Sequence, residues 1–170
     1  YPLSDEEVEC IHLFSELHDI GKIAVPDAIL LKPGKLTAEE YGVMKTHPFK
    51  GREMIALMIR EFGLDGIHHT DMLENIIAYH HERFDGQGYP EGLAGEAIPL
   101  EARIVAVADV FDALTSERPY KQAWPLETAF EYLKTHAGSQ FDPVCVAAAL
   151  QSREAFCAIH RQYHRDPVIT

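Results

Sequence analysis

Two short stretches of this sequence concentrate side chains that bind metal ions. One reads His18-Asp19-Ile20-Gly21-Lys22; the other reads His80-His81-Glu82-Arg83-Phe84-Asp85-Gly86-Gln87-Gly88-Tyr89-Pro90. Adjacent histidines at a helix end, with a second His-Asp pair elsewhere, are an unusual use of ligating groups. Imidazole and carboxylate together suit a site holding more than one divalent ion, and such sites hydrolyse phosphate esters. Two further residues extend the set. His47 closes a helical pattern before Pro48, and Asp109 interrupts the apolar stretch from Ile104 to Leu114. A carboxylate facing a core needs a partner or an ion. Asp112, three residues on, could share that face.

Each of these residues has a plainer reading when taken alone. His18 reads as a partly buried histidine beside a solvated Asp19, and His47 as a satisfied core histidine sharing an inward face with Tyr41 and Met44. Together they provide six candidate ligands: His18, Asp19, His47, His80, His81 and Asp109. Two divalent ions are the expected complement. Mixed imidazole and carboxylate favour iron or manganese over a structural zinc, which would prefer thiolates. Asp19 is the natural carboxylate to bridge two ions, an arrangement that activates a water as hydroxide against phosphorus. Lys22, just past Gly21, could meet a phosphate oxygen as a point charge, or simply balance a helix dipole. His12, His68, His69, His136, His160 and His164 lack such surroundings and read as surface or core residues.

The elements that must position these groups are helical. Ser4 with Glu7, Thr37 with Glu40 and Asp71 with Glu74 each have capping-box spacing before a periodic stretch. Pro125 and Pro143 read as first-turn prolines, the latter after an Asp142 cap, and Gly63, Gly86 and Gly138 as stops. The pattern predicts helices near residues 5–19, 37–47, 50–62, 71–83, 100–115, 125–136 and 143–162. Val8, Ile11, Phe14 and Leu17 recur at helical spacing, as do Val105, Ala108, Phe111 and Leu114. No alternating strand pattern appears. The stretch 23–34, with Pro33-Gly34, reads as a connecting loop. Residues 84–98 hold four glycines and predict a long structured loop, which in a compact domain is usually functional. The expected architecture is an all-α bundle of about seven helices.

The 170 residues are enough for one domain with a real core, and 46% hydrophobic with 25% charged residues is ordinary globular composition. A formal charge of −12 argues against DNA or RNA as partner, since backbone binders carry a basic face. It leaves room for a phosphate ligand where ions and a few cations invert the local field. No apolar run reaches the ~20 residues of a membrane span. Cys10, Cys145 and Cys157 lack metal spacing and read as free thiols in a reducing cytoplasm.

Taken in order, His18-Asp19-Ile20-Gly21-Lys22, His47-Pro48, His80-His81-Glu82, Asp85-Gly86-Gln87-Gly88-Tyr89-Pro90 and Asp109 with Arg118-Pro119-Tyr120-Lys121 resemble the HD-GYP subfamily of HD-domain phosphohydrolases. The resemblance runs over roughly residues 8–150. It implies a phosphodiesterase that hydrolyses the bacterial second messenger cyclic di-GMP to linear pGpG and, with further turnover, GMP. Carried over by position, His18, Asp19, His47, His80, His81 and Asp109 correspond to metal ligands, and Lys22 to a phosphate contact. Tyr89, Arg118 and Lys121 correspond to residues that hold substrate. Arg118 and Lys121 sit three apart, so on one helical turn both cations could face a phosphate or guanine edge. Family members usually carry a further helix before the His-Asp pair, with a Glu and a His for a third metal. Only seventeen residues precede His18 here, so that helix and any upstream sensor domain are expected outside this chain.

Two other readings remain open. One is an HD phosphohydrolase acting on a different cyclic dinucleotide or on a nucleotide monophosphate. The other is a signalling module that binds its nucleotide, or a protein partner through the loop around Tyr89, without turnover.

Overall fold

A computed structural model of the chain describes residues 1–64, 68–117 and 121–163. Its helices are α1 (Asp5–Ser15), α2 (Asp27–Leu30), α3 (Ala38–Met44), α4 (His47–Glu61), α5 (Thr70–Tyr79), α6 (Leu100–Thr115), α7 (Leu126–Thr135), α8 (Pro143–Gln151) and α9 (Arg153–Tyr163). Short 3-10 turns occupy Ile20–Ala24 and Gly95–Ala97. Among the described residues, extended pairing is limited to two isolated bridges, Asp85 with Ala94 and Ala137 with Phe141. The all-α expectation therefore holds.

α6 is the axis of the molecule. It buries Ala102, Arg103, Val105, Ala106, Val107, Phe111, Leu114 and Thr115, a set too wide for one stripe. A helix apolar on most sides belongs inside. One flank, with Val107, Phe111 and Leu114, packs on Phe130 and Leu133 of α7 and Val146 and Ala149 of α8. The other, with Val105, packs on Met72 and Ile76 of α5 and Ile11 of α1. Ala108, read from its spacing as part of the inward face, is exposed.

Local signals place several helix ends. Ser4–Glu7 and Thr37–Glu40 form complete capping boxes, and Asp142 caps α8 by accepting from the Val144 amide. Gly63, in the left-handed region, ends α4 with the Leu64 amide donating to the Ile59 carbonyl. The Asp71–Glu74 box does not form: α5 starts one residue earlier, behind His69 in a left-handed conformation. Pro125 sits outside α7 as its cap residue. The predicted helix 143–162 is two helices parted at Ser152, and the loop 23–34 contains the single turn α2 after Pro26. Gly86 lies in a loop, well past the end of α5.

Three differences bear on function. The first helix stops at Ser15, and the chain then descends through i→i−3 bonds, Leu17 to Phe14, His18 to Ser15 and Ile20 to Leu17. His18 and Asp19 thus stand in a turn, outside the helix. His47 opens α4; it does not end the helix before it, because Pro48 fits a helix first turn, where no amide donor is required. α5 ends at Tyr79, so His80 and His81 sit at and beyond its C-terminus.

Candidate metal centre

Four segments bring their ligating atoms to one point. Asp19, from the turn after α1, meets His47 at the start of α4 and His80 and His81 at the end of α5, with one donor atom of each within 4.8 Å of all the others. His18 and Asp109 adjoin this group. The Nε2 of His18 lies 3.4 Å from Asp19 Oδ2 and 3.6 Å from Asp109 Oδ1. All six sequence-predicted ligands therefore converge, while Asp112 does not. Asp112 is exposed on α6, and its carboxylate accepts from the Ser116 hydroxyl.

A glycine contact makes the convergence possible. A methyl group on Gly21 would lie 1.9 Å from the His47 carbonyl and 2.5 Å from the Gly51 amide nitrogen. The backbone after Asp19 can approach the first turn of α4 only because neither side carries a Cβ there. That approach sets Asp19 Oδ1 3.1 Å from His47 Nε2 and 3.8 Å from His80 Nε2.

The histidines are oriented from behind. Nδ1 of His18 faces the Ser15 carbonyl at 2.6 Å, Nδ1 of His47 the Met44 carbonyl at 2.8 Å, and Nδ1 of His80 the Ile76 carbonyl at 3.0 Å. A ring that donates from Nδ1 keeps its Nε2 lone pair for a ligand, as in most metal-binding histidines. The inward atoms Asp19 Oδ1, His47 Nε2 and His80 Nε2 are all buried without a well-directed hydrogen bond. Leaving such groups unpaired costs about 1–3 kcal/mol each, so their clustering calls for a cation. The residues fit a divalent metal.

Electrostatics point the same way. Burial works to lower the His18 pKa, but hydrogen bonds to Asp109 and Asp19 prevail and raise it to about 10. In the bare protein a proton on His18 supplies the positive charge that two carboxylates demand. Burial, followed by the charge of neighbouring histidines, pushes His80 down to about 4 and His81 to about 3. Those rings stay neutral and able to ligate. Asp19 and Asp109 are both held below the usual carboxylate range against the opposing effect of burial, Asp19 by His18, His47 and Lys22 and Asp109 by His18. Lys22 pairs with Asp19 Oδ2.

The loop after His81 closes one side of the site. Tyr89 stacks on the His81 ring, centroids 4.8 Å apart, and its amide donates to the His81 carbonyl. Tyr89-Pro90 is a cis peptide bond. Glu82, 4% exposed, reaches across the loop and accepts from the Glu91 and Gly92 amides at 2.7 and 3.0 Å. Arg83 grips Asp85 with two hydrogen bonds. A Cβ on Gly88 would fall 2.3 Å from the Arg83 amide nitrogen, which is why the loop can fold flat on its own first turn.

Of the predicted substrate contacts, Tyr89 is at the centre and Arg118 lies outside the described residues. The Lys121 ammonium donates to the Ala113 carbonyl and sits 5.1 Å from the Trp124 ring centroid. Sequence reasoning missed Lys45, whose ammonium stands 5.2 Å from the Tyr41 ring and 5.9 Å from the Tyr89 ring. Its four-residue step from Tyr41 was the available signal. Glu82 was missed as the loop's internal brace, which no local pattern announces.

Comparison with known proteins agrees with this geometry. The HD domain family model matches residues 2–145. The chain is 56% identical over 151 residues to the cyclic di-GMP phosphodiesterase response regulator RpfG of Xanthomonas campestris pv. campestris, covering 89% of this chain and 38% of that protein. It is 42% identical to the 3'3'-cGAMP-specific phosphodiesterase 2 of Vibrio cholerae, covering 94% of this chain and 29% of the relative. It is 41% identical to a cyclic di-GMP phosphodiesterase of Thermotoga maritima, covering 94% and 42%. The chain thus spans well under half the length of these relatives. A crystal structure of a cyclic GMP-AMP-specific phosphodiesterase of Vibrio cholerae shares the fold, with a TM-score of 0.62 at 22% identity over 89% of this chain and 39% of that one. The motifs, the helical frame and these matches agree: the chain belongs to the HD-domain family, in its HD-GYP branch.

Proposed function

We propose that this chain is the hydrolytic unit of a metal-dependent phosphodiesterase acting on cyclic di-GMP, with linear pGpG and then GMP as products. The observation that carries the reading is the set of buried, unpaired atoms on Asp19, His47 and His80, aimed at one point beside His18, His81 and Asp109. These six residues would hold two divalent ions, iron or manganese from the donor set, with Asp19 as the shared carboxylate. Ions bound there supply Lewis acidity toward phosphorus and a nucleophile at neutral pH.

The chain's own residues do the rest. Lys22, paired with Asp19, would meet a phosphate oxygen that enters beside that carboxylate. Tyr89, held flat on His81, offers a face and a hydroxyl to substrate. Burial raises its pKa, so the hydroxyl stays protonated and able to donate. Lys121 and Arg118 follow α6 in sequence and are assigned to substrate binding by their motif. The outer edge of the loop, Gln87, Pro90 and Glu91, is exposed and is the surface a protein partner would meet. The free thiols of Cys10, Cys145 and Cys157 suit a cytoplasmic enzyme.

A second reading, 3'3'-cGAMP as substrate, is supported by relatives that carry that name. The test is elemental analysis of anaerobically purified protein together with hydrolysis assays on both dinucleotides. About two equivalents of metal and turnover lost on chelation are expected. Metal-free protein with full turnover would sink the assignment.

A further inference from the structure

Beside the cluster lies a cavity of about 320 Å³, whose lining includes His80, His81, Tyr89 and Tyr41 together with Gln87 and Gln140. It is wide enough for a purine, and Tyr89 and Tyr41 give it aromatic walls. The segment that carries Gln140 is tied to the loop that carries Tyr89. The Phe84 amide donates to the Gln140 carbonyl at 3.2 Å, and the Asp85 amide to the Ser139 carbonyl at 2.7 Å. Gln140 therefore keeps its register with Tyr89 and the histidines.

The chemistry of the lining is asymmetric. Arg83 also lines the cavity, but two of its three guanidinium nitrogens, Nε and Nη2, are committed to Asp85. The Tyr132 hydroxyl donates to Oε1 of Gln140 at 2.9 Å, and the Tyr132 ring is itself stacked on His136. With its oxygen held in this way, the end of the Gln140 amide left for a ligand is the NH2 group, a donor. A glutamine with both ends free matches adenine, accepting from N6 and donating to N7. A glutamine reduced to its donor matches guanine, whose O6 and N7 are both acceptors.

We propose that this cavity takes one purine of the cyclic dinucleotide and that Gln140, oriented by Tyr132, selects guanine over adenine there. The proposal rests on the phosphodiesterase reading above and adds which residue sets the base. Tyr132 is a positioning residue: it does not line the cavity and acts only through the glutamine.

The test compares kcat/KM for cyclic di-GMP and cyclic di-AMP, which has no guanine to offer the cavity, in wild type, Gln140→Leu and Tyr132→Phe, each first shown to bind metal and unfold cooperatively. The wild type should favour cyclic di-GMP. Gln140→Leu should cut that preference by about fivefold or more, the value of one hydrogen bond. Tyr132→Phe frees the amide oxygen and should move the ratio toward cyclic di-AMP with little change in metal content. The same order should appear in dissociation constants measured on metal-free protein, where no turnover occurs. A wild type that hydrolyses neither dinucleotide overturns the reading of the site and this inference with it. A wild type that hydrolyses them with a ratio unmoved by both substitutions overturns this inference alone.

Discussion

A buried imidazole whose inward Nε2 lacks a well-directed hydrogen bond is a defect in an ordinary core, and this molecule gathers two of them around a half-buried carboxylate. The defect makes sense only as a site kept ready for a cation, because the same atoms would be better satisfied by a shift of any one ring. Removing one of them should therefore spare the fold while destroying the site. Asp19→Ala and His80→Ala are expected to lose bound metal and at least a hundredfold in turnover, on the order of what metal-ion stabilisation supplies. Their helical circular dichroism should match wild type. Elemental analysis beside the hydrolysis assay checks this, and normal metal with full turnover in Asp19→Ala would show the carboxylate to be idle. Much of this scale was legible in the amino-acid order, since all six residues that converge could be named from residue type and spacing. Lys45 was announced only by its step from Tyr41, its approach to Tyr89 spanning 44 residues, and Gln140 gains its relevance from Tyr132, 8 residues away.

At the scale of elements, the loop after α5 is a device for holding Tyr89 against His81. Its closure depends on Gly88, where an added methyl would lie 2.5 Å from the Glu82 Cα. Gly88→Ala should displace the loop, raise KM for the dinucleotide and leave metal content near wild type, a split that kinetics and elemental analysis can separate. A second element-scale device is remote from the chemistry. Asp142, 1% exposed, caps α8 and pairs with the buried Arg103 at 2.5 Å, and both meet the Tyr1 hydroxyl. Burial opposes its ionisation, but the Val144 amide, Tyr1 and Arg103 hold its carboxyl below the ordinary value. A carboxyl depressed in the folded state adds stability above its unfolded pKa of about 3.9 and loses it as pH falls through the folded value. Asp142→Asn should cost about 3–5 kcal/mol at neutral pH by stranding Arg103. Its urea midpoint should then fall less than that of wild type on acidification below about pH 4. An equal fall would show that Asp142 does not carry the acid sensitivity.

For the whole molecule, the centre ties together the turn after α1, the start of α4, the end of α5 and the middle of α6. A bound ion therefore acts as a staple across elements distant in sequence. Metal at 100 times its dissociation constant stabilises by about 2.7 kcal/mol, and for a domain of this size that is about 5–10 °C in Tm. Thermal scans with manganese and with a chelator should differ by that much in wild type and not at all in His80→Ala. An equal shift in the variant would place the stabilising ion elsewhere.

Residue order by itself determined the helical class, because apolar spacing, capping boxes and proline positions act within one or two turns. It also determined which side chains could ligate, since chemistry belongs to residue type. Tertiary structure decided the rest. It moved His18 and Asp19 off the first helix, made His47 the opening residue of α4, and split the last predicted helix at Ser152. It also turned Asp112 away from the site that Asp109 enters. The reason is that convergence depends on backbone approach between segments, such as Gly21 against His47, and on which face of α6 its neighbours bury. Neither is encoded within a local window of the chain.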